Sequence, residues 1–213
     1  MWIRPESRGA VAAQVNAGEL HAQVAAWLAA DRPLVVARQP CGASLSDHIS
    51  VGLALPPAQG KRRIGLVVAV QDIVRHAPPL RLGDAIMHAP AASQPALAEL
   101  EAVAIQNELE LRVFGSLAWQ ALSGHNYMTE KSDIDLLWHP LSHMQLQQGI
   151  ALLTRWELAT GLRADGEVLF GGSSAVSWRE WATLKSGDDR RVLVKRISSA
   201  ELVDARELLE MLA

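Results

Sequence analysis

The sequence has little of what marks an exported or a nucleic-acid-binding protein. Its 213 residues include one cysteine, Cys41, so no disulfide can form within the chain and an oxidising compartment is not indicated. Lys and Arg together number 20 against 23 Asp and Glu, a net charge of −3. A balance this close to neutral argues against a broad basic surface for nucleic acid or anionic lipid.

Long hydrophobic runs are also lacking. The stretch from Ile64 to Val70 is only as long as a strand, far short of the ~18 residues of a membrane span. The first residues, from Met1 to Glu6, contain no apolar segment typical of a signal peptide. We therefore predict a cytoplasmic protein that has neither a membrane nor a nucleic acid as its partner.

Apolar residues make up 49% of the chain, enough for one large core or two small ones. Hydrophobic spacing predicts helices within 6–30 and strands at 34–37, 49–55 and 62–70. Four prolines between residues 75 and 95 interrupt the pattern, so we predict a boundary near residue 90. The later part reads as strands at 109–114, 133–138, 167–170 and 191–195, and as helices at 96–106, 117–122, 142–160, 178–184 and 199–212. The fold class predicted is α+β, with an N-terminal recognition domain over 1–90 and a catalytic domain over 91–213.

The first chemical feature is Gly115-Ser116, which follows a predicted strand and opens a predicted helix. The first turn of a helix has unpaired backbone N–H groups, which suit a phosphate. Gly115 has no Cβ, so a ligand can approach the backbone closely. The Ser116 hydroxyl can donate one more hydrogen bond to a phosphate-type leaving group. We therefore take both residues as substrate-binding candidates.

The second feature is Ser132-Asp133-Ile134-Asp135-Leu136. Alternation along a strand puts Asp133 and Asp135 on one face. Two such carboxylates repel each other unless a cation lies between them. Mg²⁺ takes few protein carboxylates and completes its shell with water and phosphate oxygens. The spacing therefore predicts that Asp133 and Asp135 are catalytic residues and ligands of Mg²⁺.

Gly-Ser followed by Asp-x-Asp resembles the polymerase-beta-like nucleotidyltransferases. The resemblance implies a nucleotidyltransferase-like mixed sheet with flanking helices. It also implies a third acidic residue on a later strand, here Asp165-Gly166-Glu167-Val168. Asp165 and Glu167 share a face, so the residues alone do not choose between them. Glu167 lies further into the strand and is favoured as catalytic residue and metal ligand, with Asp165 in reserve.

A longer set of segments resembles one family within that superfamily. They are Gly115-Ser116-Leu117-Ala118-Trp119-Gln120, Gly124-His125-Asn126-Tyr127, Ser132-Asp133-Ile134-Asp135-Leu136, Asp165-Gly166-Glu167 and Trp178-Arg179-Glu180. They are similar to the holo-acyl-carrier-protein synthases of malonate decarboxylase, also called phosphoribosyl-dephospho-CoA transferases. The resemblance is dense from about residue 110 to 196 and thin before it.

This resemblance implies the reaction and its partners. The donor would be 2′-(5″-triphosphoribosyl)-3′-dephospho-CoA, and the acceptor a serine of the acyl carrier subunit of malonate decarboxylase. Pyrophosphate would leave as the carrier gains its prosthetic group. Metal ions and positioning supply most of the rate in such transfers, so no strong protein base is required.

Several cations are candidates for binding the phosphates. Lys195 and Arg191 share a face of the predicted strand 191–195, and Lys195 is preferred as a pyrophosphate contact. Arg179 fits a substrate contact and a structural ion pair equally well. The densest basic run is Lys61-Arg62-Arg63, which fits the donor's phosphates and a solvated strand entry equally well.

Two other functions are compatible with these residues. One is a nucleotidyltransferase that moves AMP or another nucleotide to a protein or a small molecule. The other is a non-catalytic binding protein of the same fold. The presence of Gly115, Ser116, Asp133 and Asp135 with an acid at 165 or 167 argues against lost activity, because decay usually removes a carboxylate.

Overall fold

The computed structural model describes residues 1–16, 18–40, 47–184 and 190–212, so Cys41 lies outside the described residues. The chain forms two compact units, Met1–Pro78 and Pro79–Ala213. The division falls earlier than the boundary predicted near residue 90, because the strand Leu80–Arg81 pairs with Arg112–Val113 of the second unit. Among the described residues, no helix combines the length and apolar composition that crossing a membrane requires.

The described residues of the N-terminal unit include two α-helices and two small antiparallel sheets. In chain order its elements are β1 (Trp2–Ile3), α1 (Arg8–Ala12), α2 (Glu19–Ala29), β2 (Val35–Val36), β3 (His48–Ala54), β4 (Arg63–Ala69) and β5 (Ile73–Arg75). Strand β3 pairs with both β2 and β4, and β1 pairs with β5. Ile64, Leu66 and Val68 alternate with exposed residues along β4 and are buried. This period of two buries one face of the sheet and exposes the other.

The C-terminal unit is built on a larger sheet. Its elements are β6 (Leu80–Arg81), α3 (Leu82–Ala85), α4 (Gln94–Gln106), β7 (Arg112–Val113), α5 (Gly115–Ser123), β8 (Ile134–Trp138), α6 (His143–Thr160), β9 (Ala164–Phe170), β10 (Ser174–Ser177), α7 (Trp178–Ala182), β11 (Arg191–Lys195), β12 (Ala200–Asp204) and α8 (Ala205–Leu209). Its strands lie in the order β12-β11-β10-β9-β8-β7-β6. Strands β8 and β9 run parallel, joined by α6, and the other neighbouring pairs are antiparallel. The predicted α+β class with a mixed sheet is confirmed.

The two faces of this sheet differ in burial. Ile134, Leu136 and Trp138 of β8 are buried in the core, as are the alternate residues of β9 and β10. The residues between them, including Asp135, Asp165 and Glu167, are only partly buried. Alternation therefore places the acidic side chains together on the face that is not buried in the core.

Both ends of helix α6 are set by residues that are recognisable in the sequence. The Ser142 hydroxyl accepts a hydrogen bond from Gln145 N (3.2 Å), and Gly161 ends the helix with φ +70°. In the middle of the helix, a Cβ on Gly149 would lie 2.8 Å from Trp138 Nε1. Gly149 thus lets α6 approach β8, and the helix predicted over 142–160 is confirmed.

The predicted helix over 199–212 is wrong in its first half. Residues Ala200–Asp204 form β12, which pairs antiparallel with β11, and the helix begins only at Ala205. Asp204 caps it by accepting a hydrogen bond from Arg206 N (2.9 Å). Ser199 and the acids after it favour a helix start locally, but pairing with β11 overrides this local preference.

Candidate functional site

The Gly115-Ser116 segment lies at the junction of a strand and a helix, as the sequence predicted. Strand β7 ends at Val113, and α5 begins at Gly115, whose φ of +59° favours glycine. Leu117, in the first turn of the helix, is buried and fixes α5 against the core. The first backbone N–H groups of this nine-residue helix, and the Ser116 hydroxyl, therefore have a defined position.

Asp135 meets Gly115 directly. The backbone N–H of Phe114 donates to the carbonyl oxygen of Asp135 (3.1 Å), which ties β8 to the start of α5. A Cβ built on Gly115 would overlap the Asp135 carboxylate. The structure thus brings one predicted carboxylate to the predicted phosphate-binding segment, and glycine is the residue that permits this approach.

Asp133 lies just before β8 and is more exposed than a core residue. Its Oδ2 is 3.6 Å from Arg163 Nε, and 39% of its side chain is accessible. A partly exposed ion pair at this distance is weak, so Asp133 can exchange Arg163 for another cation. Asp133 precedes the first residue of β8, Ile134, so a shared face with Asp135 stays a prediction.

The register of β9 separates the two candidates for the third acid. Asp165 is paired with Asp135 across the parallel strands, whereas Glu167 is paired with Leu137. Neighbouring strands lie about 4.8 Å apart, so Asp165 is the acid placed beside Asp135. Its Oδ1 accepts the N–H of Gly166 (2.8 Å). The register therefore favours Asp165, which the sequence had kept in reserve.

Gly166 makes this register possible. Its φ is +133°, and a Cβ there would overlap the carbonyl group of Leu136 on β8. Sequence reasoning gave Gly166 no role. A glycine inside a strand is the signal that could have identified it, because such a glycine often marks a close approach of another backbone.

Glu167 and Lys195 form an ion pair. Lys195 Nζ lies 2.7 Å from Glu167 Oε1, with β10 between the strands that carry them. The structure thus brings Lys195 to the acidic face, where the sequence expected a cation. It also gives Glu167 a partner that the sequence did not foresee.

Arg179 is engaged by the protein itself. Its Nη2 donates to the Glu157 carboxylate and to the carbonyl oxygen of Ala164 (2.7 Å), and its guanidinium lies 4.8 Å from the centre of the Trp178 ring. These contacts join the end of α6 to the start of β9. They favour the structural reading of Arg179 over the substrate-binding one.

Lys61, Arg62 and Arg63 belong to the N-terminal unit. Gly60 (φ +87°) and Lys61 (φ +52°) form a turn, Arg62 follows it, and Arg63 is the first residue of β4. All three are exposed. They stay available to an anionic partner, and their role in binding substrate stays a prediction.

The Gln120 side chain ties the loop before Asp133 to α5. Gln120 Oε1 accepts the backbone N–H groups of Tyr127 (2.8 Å) and Met128 (2.9 Å), and its Nε2 donates to the carbonyl oxygen of His88. Trp119 and Tyr127 stack with ring centres 6.3 Å apart. The sequence gives Gln120 no role beyond its place in a motif segment, because a lone glutamine on a helix has no local signal.

In the part of the chain that the structure describes, no three His, Cys, Asp or Glu side chains converge as a ready-made metal-binding group. The predicted ligands that suit Mg²⁺ by type are Asp133, Asp135, Asp165 and Glu167. Asp135 and Asp165 are in register, whereas Glu167 is paired with Lys195. Oxygen ligands are what Mg²⁺ prefers, and substrate phosphates usually complete its shell. The donor set therefore fits a metal that is bound together with a phosphate substrate.

Comparison with known proteins gives a consistent picture over both units. The family model described as phosphoribosyl-dephospho-CoA transferase MdcG N-terminal domain matches residues 1–79, and that of the MdcG C-terminal domain matches residues 80–206. No solved structure matches the chain.

Curated relatives carry the same name. The phosphoribosyl-dephospho-CoA transferase of Xanthomonas campestris pv. campestris (strain 8004) is 41% identical over 203 residues, covering 95% of this chain and 91% of its own. That of Xanthomonas euvesicatoria pv. vesicatoria is 44% identical, covering 83% and 81%. That of Bradyrhizobium diazoefficiens is 34% identical, covering 76% and 70%.

Proposed function

The chain belongs to the phosphoribosyl-dephospho-CoA transferase family, and we propose that it attaches a prosthetic group to the acyl carrier subunit of malonate decarboxylase. The donor is 2′-(5″-triphosphoribosyl)-3′-dephospho-CoA, and the acceptor is a serine hydroxyl of the carrier. The observation that carries this proposal is the contact of Asp135 with Gly115, which joins an acidic strand to the start of a helix. Such a junction offers carboxylates for a metal and N–H groups for a phosphate in one place.

In the proposed reaction, the serine oxygen of the carrier forms a bond to the α-phosphorus of the donor. The bond from that phosphorus to the bridging oxygen breaks, and pyrophosphate leaves with the electron pair. The hydroxyl proton passes to solvent or to a phosphate oxygen. The product is a phosphodiester, and no oxidant or further co-reactant is needed.

We assign roles on this basis. Asp133, Asp135 and Asp165 would hold Mg²⁺, which when bound would offset the negative charge on the phosphates and on the entering and leaving oxygens. The N–H groups at the start of α5 and the Ser116 hydroxyl would bind the leaving pyrophosphate. Lys195, on the same face of the sheet, would donate to a phosphate oxygen. In this proposal the chain also belongs to the polymerase-beta-like nucleotidyltransferases, because it shares their Gly-Ser and Asp-x-Asp motifs.

A comparison of donors tests the assignment. The purified protein is incubated with Mg²⁺, the apo acyl carrier subunit and either triphosphoribosyl-dephospho-CoA or ATP, and the release of pyrophosphate is measured. We expect release with the first donor and none above background with ATP. Faster release with ATP would identify the enzyme as a different nucleotidyltransferase and overturn the proposal.

A further inference from the structure

The ion pair between Glu167 and Lys195 crosses a strand. Glu167 lies on β9 and Lys195 on β11, and the strand between them presents Ala175 and Ser177, which pair in register with Lys195 and Glu167 respectively. Both of these side chains are small, so the lysine chain can pass over β10. Its Nζ reaches Glu167 Oε1 at 2.7 Å.

This arrangement draws the Glu167 carboxylate away from the other acids. Strand β8, which carries Asp135, lies on one side of β9, whereas β10 and β11 lie on the other. In register, Glu167 faces Leu137 rather than an acid. An oxygen bound to an ammonium group two strands away is directed toward β11 and not toward Asp135.

The pair contributes little to folding, because 42% of the Lys195 side chain and 24% of the Glu167 side chain are accessible. Ion pairs that face solvent are usually weak. The main effect of the contact is to fix the position of the Lys195 ammonium group. Lysine has a long flexible chain, and the bond to Glu167 fixes its end two residues along β9 from Asp165. An ammonium group has three N–H donors, so it can keep this bond and still donate to a phosphate oxygen.

We propose that Glu167 is a positioning residue that holds the Lys195 ammonium group for the donor's phosphates, and that it is not a ligand of the metal. This inference rests on the proposed function, since it names the group that the cation serves. It separates the two acids of β9: Asp165 acts with Asp135, and Glu167 acts through Lys195.

The test uses Glu167→Gln, Lys195→Met and the double variant. If Glu167 acts only through Lys195, each single change raises the Michaelis constant for donor by about tenfold, the effect of losing a charge-assisted bond. The double variant then has the same Michaelis constant for donor as Lys195→Met, because the effects of coupled residues do not add. The Mg²⁺ concentration for half-maximal rate at saturating donor stays at the wild-type value. Glu201→Gln, which removes the partner of Arg196, serves as the control and leaves all these values unchanged.

Two results would overturn the inference. One is a higher Mg²⁺ requirement for Glu167→Gln, as expected for a lost ligand. The other is that the effects of Glu167→Gln and Lys195→Met multiply in the double variant. Thermal unfolding of each variant shows whether it is folded, and Glu167→Asp, which keeps the charge on a shorter chain, should restore part of the affinity.

Binding of inorganic pyrophosphate, measured by calorimetry without carrier or donor, separates this inference from the proposed function. Weaker binding by both single variants, with no further loss in the double variant, supports the pair even if no transfer to a carrier is found. If Glu167→Gln bound pyrophosphate as tightly as the wild-type protein, the role of Glu167 in positioning Lys195 would be contradicted, even if transfer to the carrier is found.

Discussion

The carboxylate of Asp135 takes up the space that any side chain at Gly115 would need. Gly115 also has a positive φ of +59°, a conformation that costs other residues roughly 1–2 kcal/mol. Backbone geometry and the position of the acid therefore require glycine at the same residue. This relationship is the structural basis of the proposed site, and it gives the first prediction.

Gly115→Ala should abolish most of the activity. The new methyl group would displace the Asp135 carboxylate, and a misplacement of about 1 Å at a reacting centre can lower the rate about 10²-fold. The matched control is Gly124→Ala at the other end of α5, where φ is +71° but a Cβ would meet no atom within 4 Å. We expect both variants to lose stability in thermal unfolding, Gly115→Ala more because it adds a clash to the strained φ, and only Gly115→Ala to lose turnover. Equal turnover in the two would mean that the contact with Asp135 does not matter.

Asp133→Asn and Asp135→Asn should each leave a folded protein whose transfer rate falls at least ~10³-fold, about 4 kcal/mol of transition-state stabilisation. The reason is that an amide keeps the shape of the side chain and loses the charge that a metal needs. Asp31→Asn in the N-terminal unit is the control. Rates are measured over a range of Mg²⁺ concentrations, and near-wild-type turnover of both variants would remove these residues as ligands.

Glu101 of α4 makes the stability of the fold depend on pH. Burial raises the pKa of its carboxyl above the ordinary 4.5; Asp84 and Glu110 raise it further, while the Gly83 N–H and Arg81 lower it. Of the described residues, none donates a hydrogen bond to its buried Oε2. Because the pKa is higher in the folded than in the unfolded state, Glu101 contributes most to stability at a pH below its unfolded-state pKa. This stabilisation is lost as the pH rises through the folded-state pKa.

Glu101→Gln should therefore gain stability relative to wild type as the pH rises from about 4 to 7. The amide keeps an acceptor for Gly83 and has no charge to bury. The free energy of unfolding is measured by denaturant titration at several pH values, with Glu99→Gln, on the exposed side of α4, as the control. A difference between Glu101→Gln and wild type that is constant with pH would show that Glu101 does not titrate abnormally.

Neutralising Arg62 and Arg63 together should raise the Michaelis constant for the donor or the carrier and leave the maximal rate nearly intact. Exposed cations steer an anionic partner and speed its association at low salt more than they change chemistry. The salt dependence of the Michaelis constant should flatten. Arg155→Gln on α6 is the control. A loss of maximal rate at saturating substrates would make the N-terminal unit part of the catalytic site.

The sequence predicts those features that depend on neighbouring residues. The helix over 142–160 has a serine cap and a glycine end, and the alternation of Asp133, Ile134 and Asp135 puts two acids on one face. Gly115 and Ser116 are recognisable because a strand runs directly into them. Each of these signals is local, so no knowledge of the rest of the chain is needed.

Contacts between distant segments are what the sequence could not supply. The register that places Asp165 beside Asp135 depends on how closely β8 and β9 approach, which Gly166 permits. The pairing of Glu167 with Lys195 depends on the order of β9, β10 and β11. The strand β12 was mistaken for a helix because its conformation is stabilised by β11 rather than by its own residues.

The most direct test of the account is the intact mass of the acyl carrier subunit after incubation with enzyme, triphosphoribosyl-dephospho-CoA and Mg²⁺. We predict that the carrier gains the mass of one phosphoribosyl-dephospho-CoA group, and that Asp135→Asn enzyme or a carrier whose acceptor serine is replaced by alanine gives no gain. An unchanged carrier mass with the wild-type enzyme, under conditions in which the donor is intact, would contradict the account.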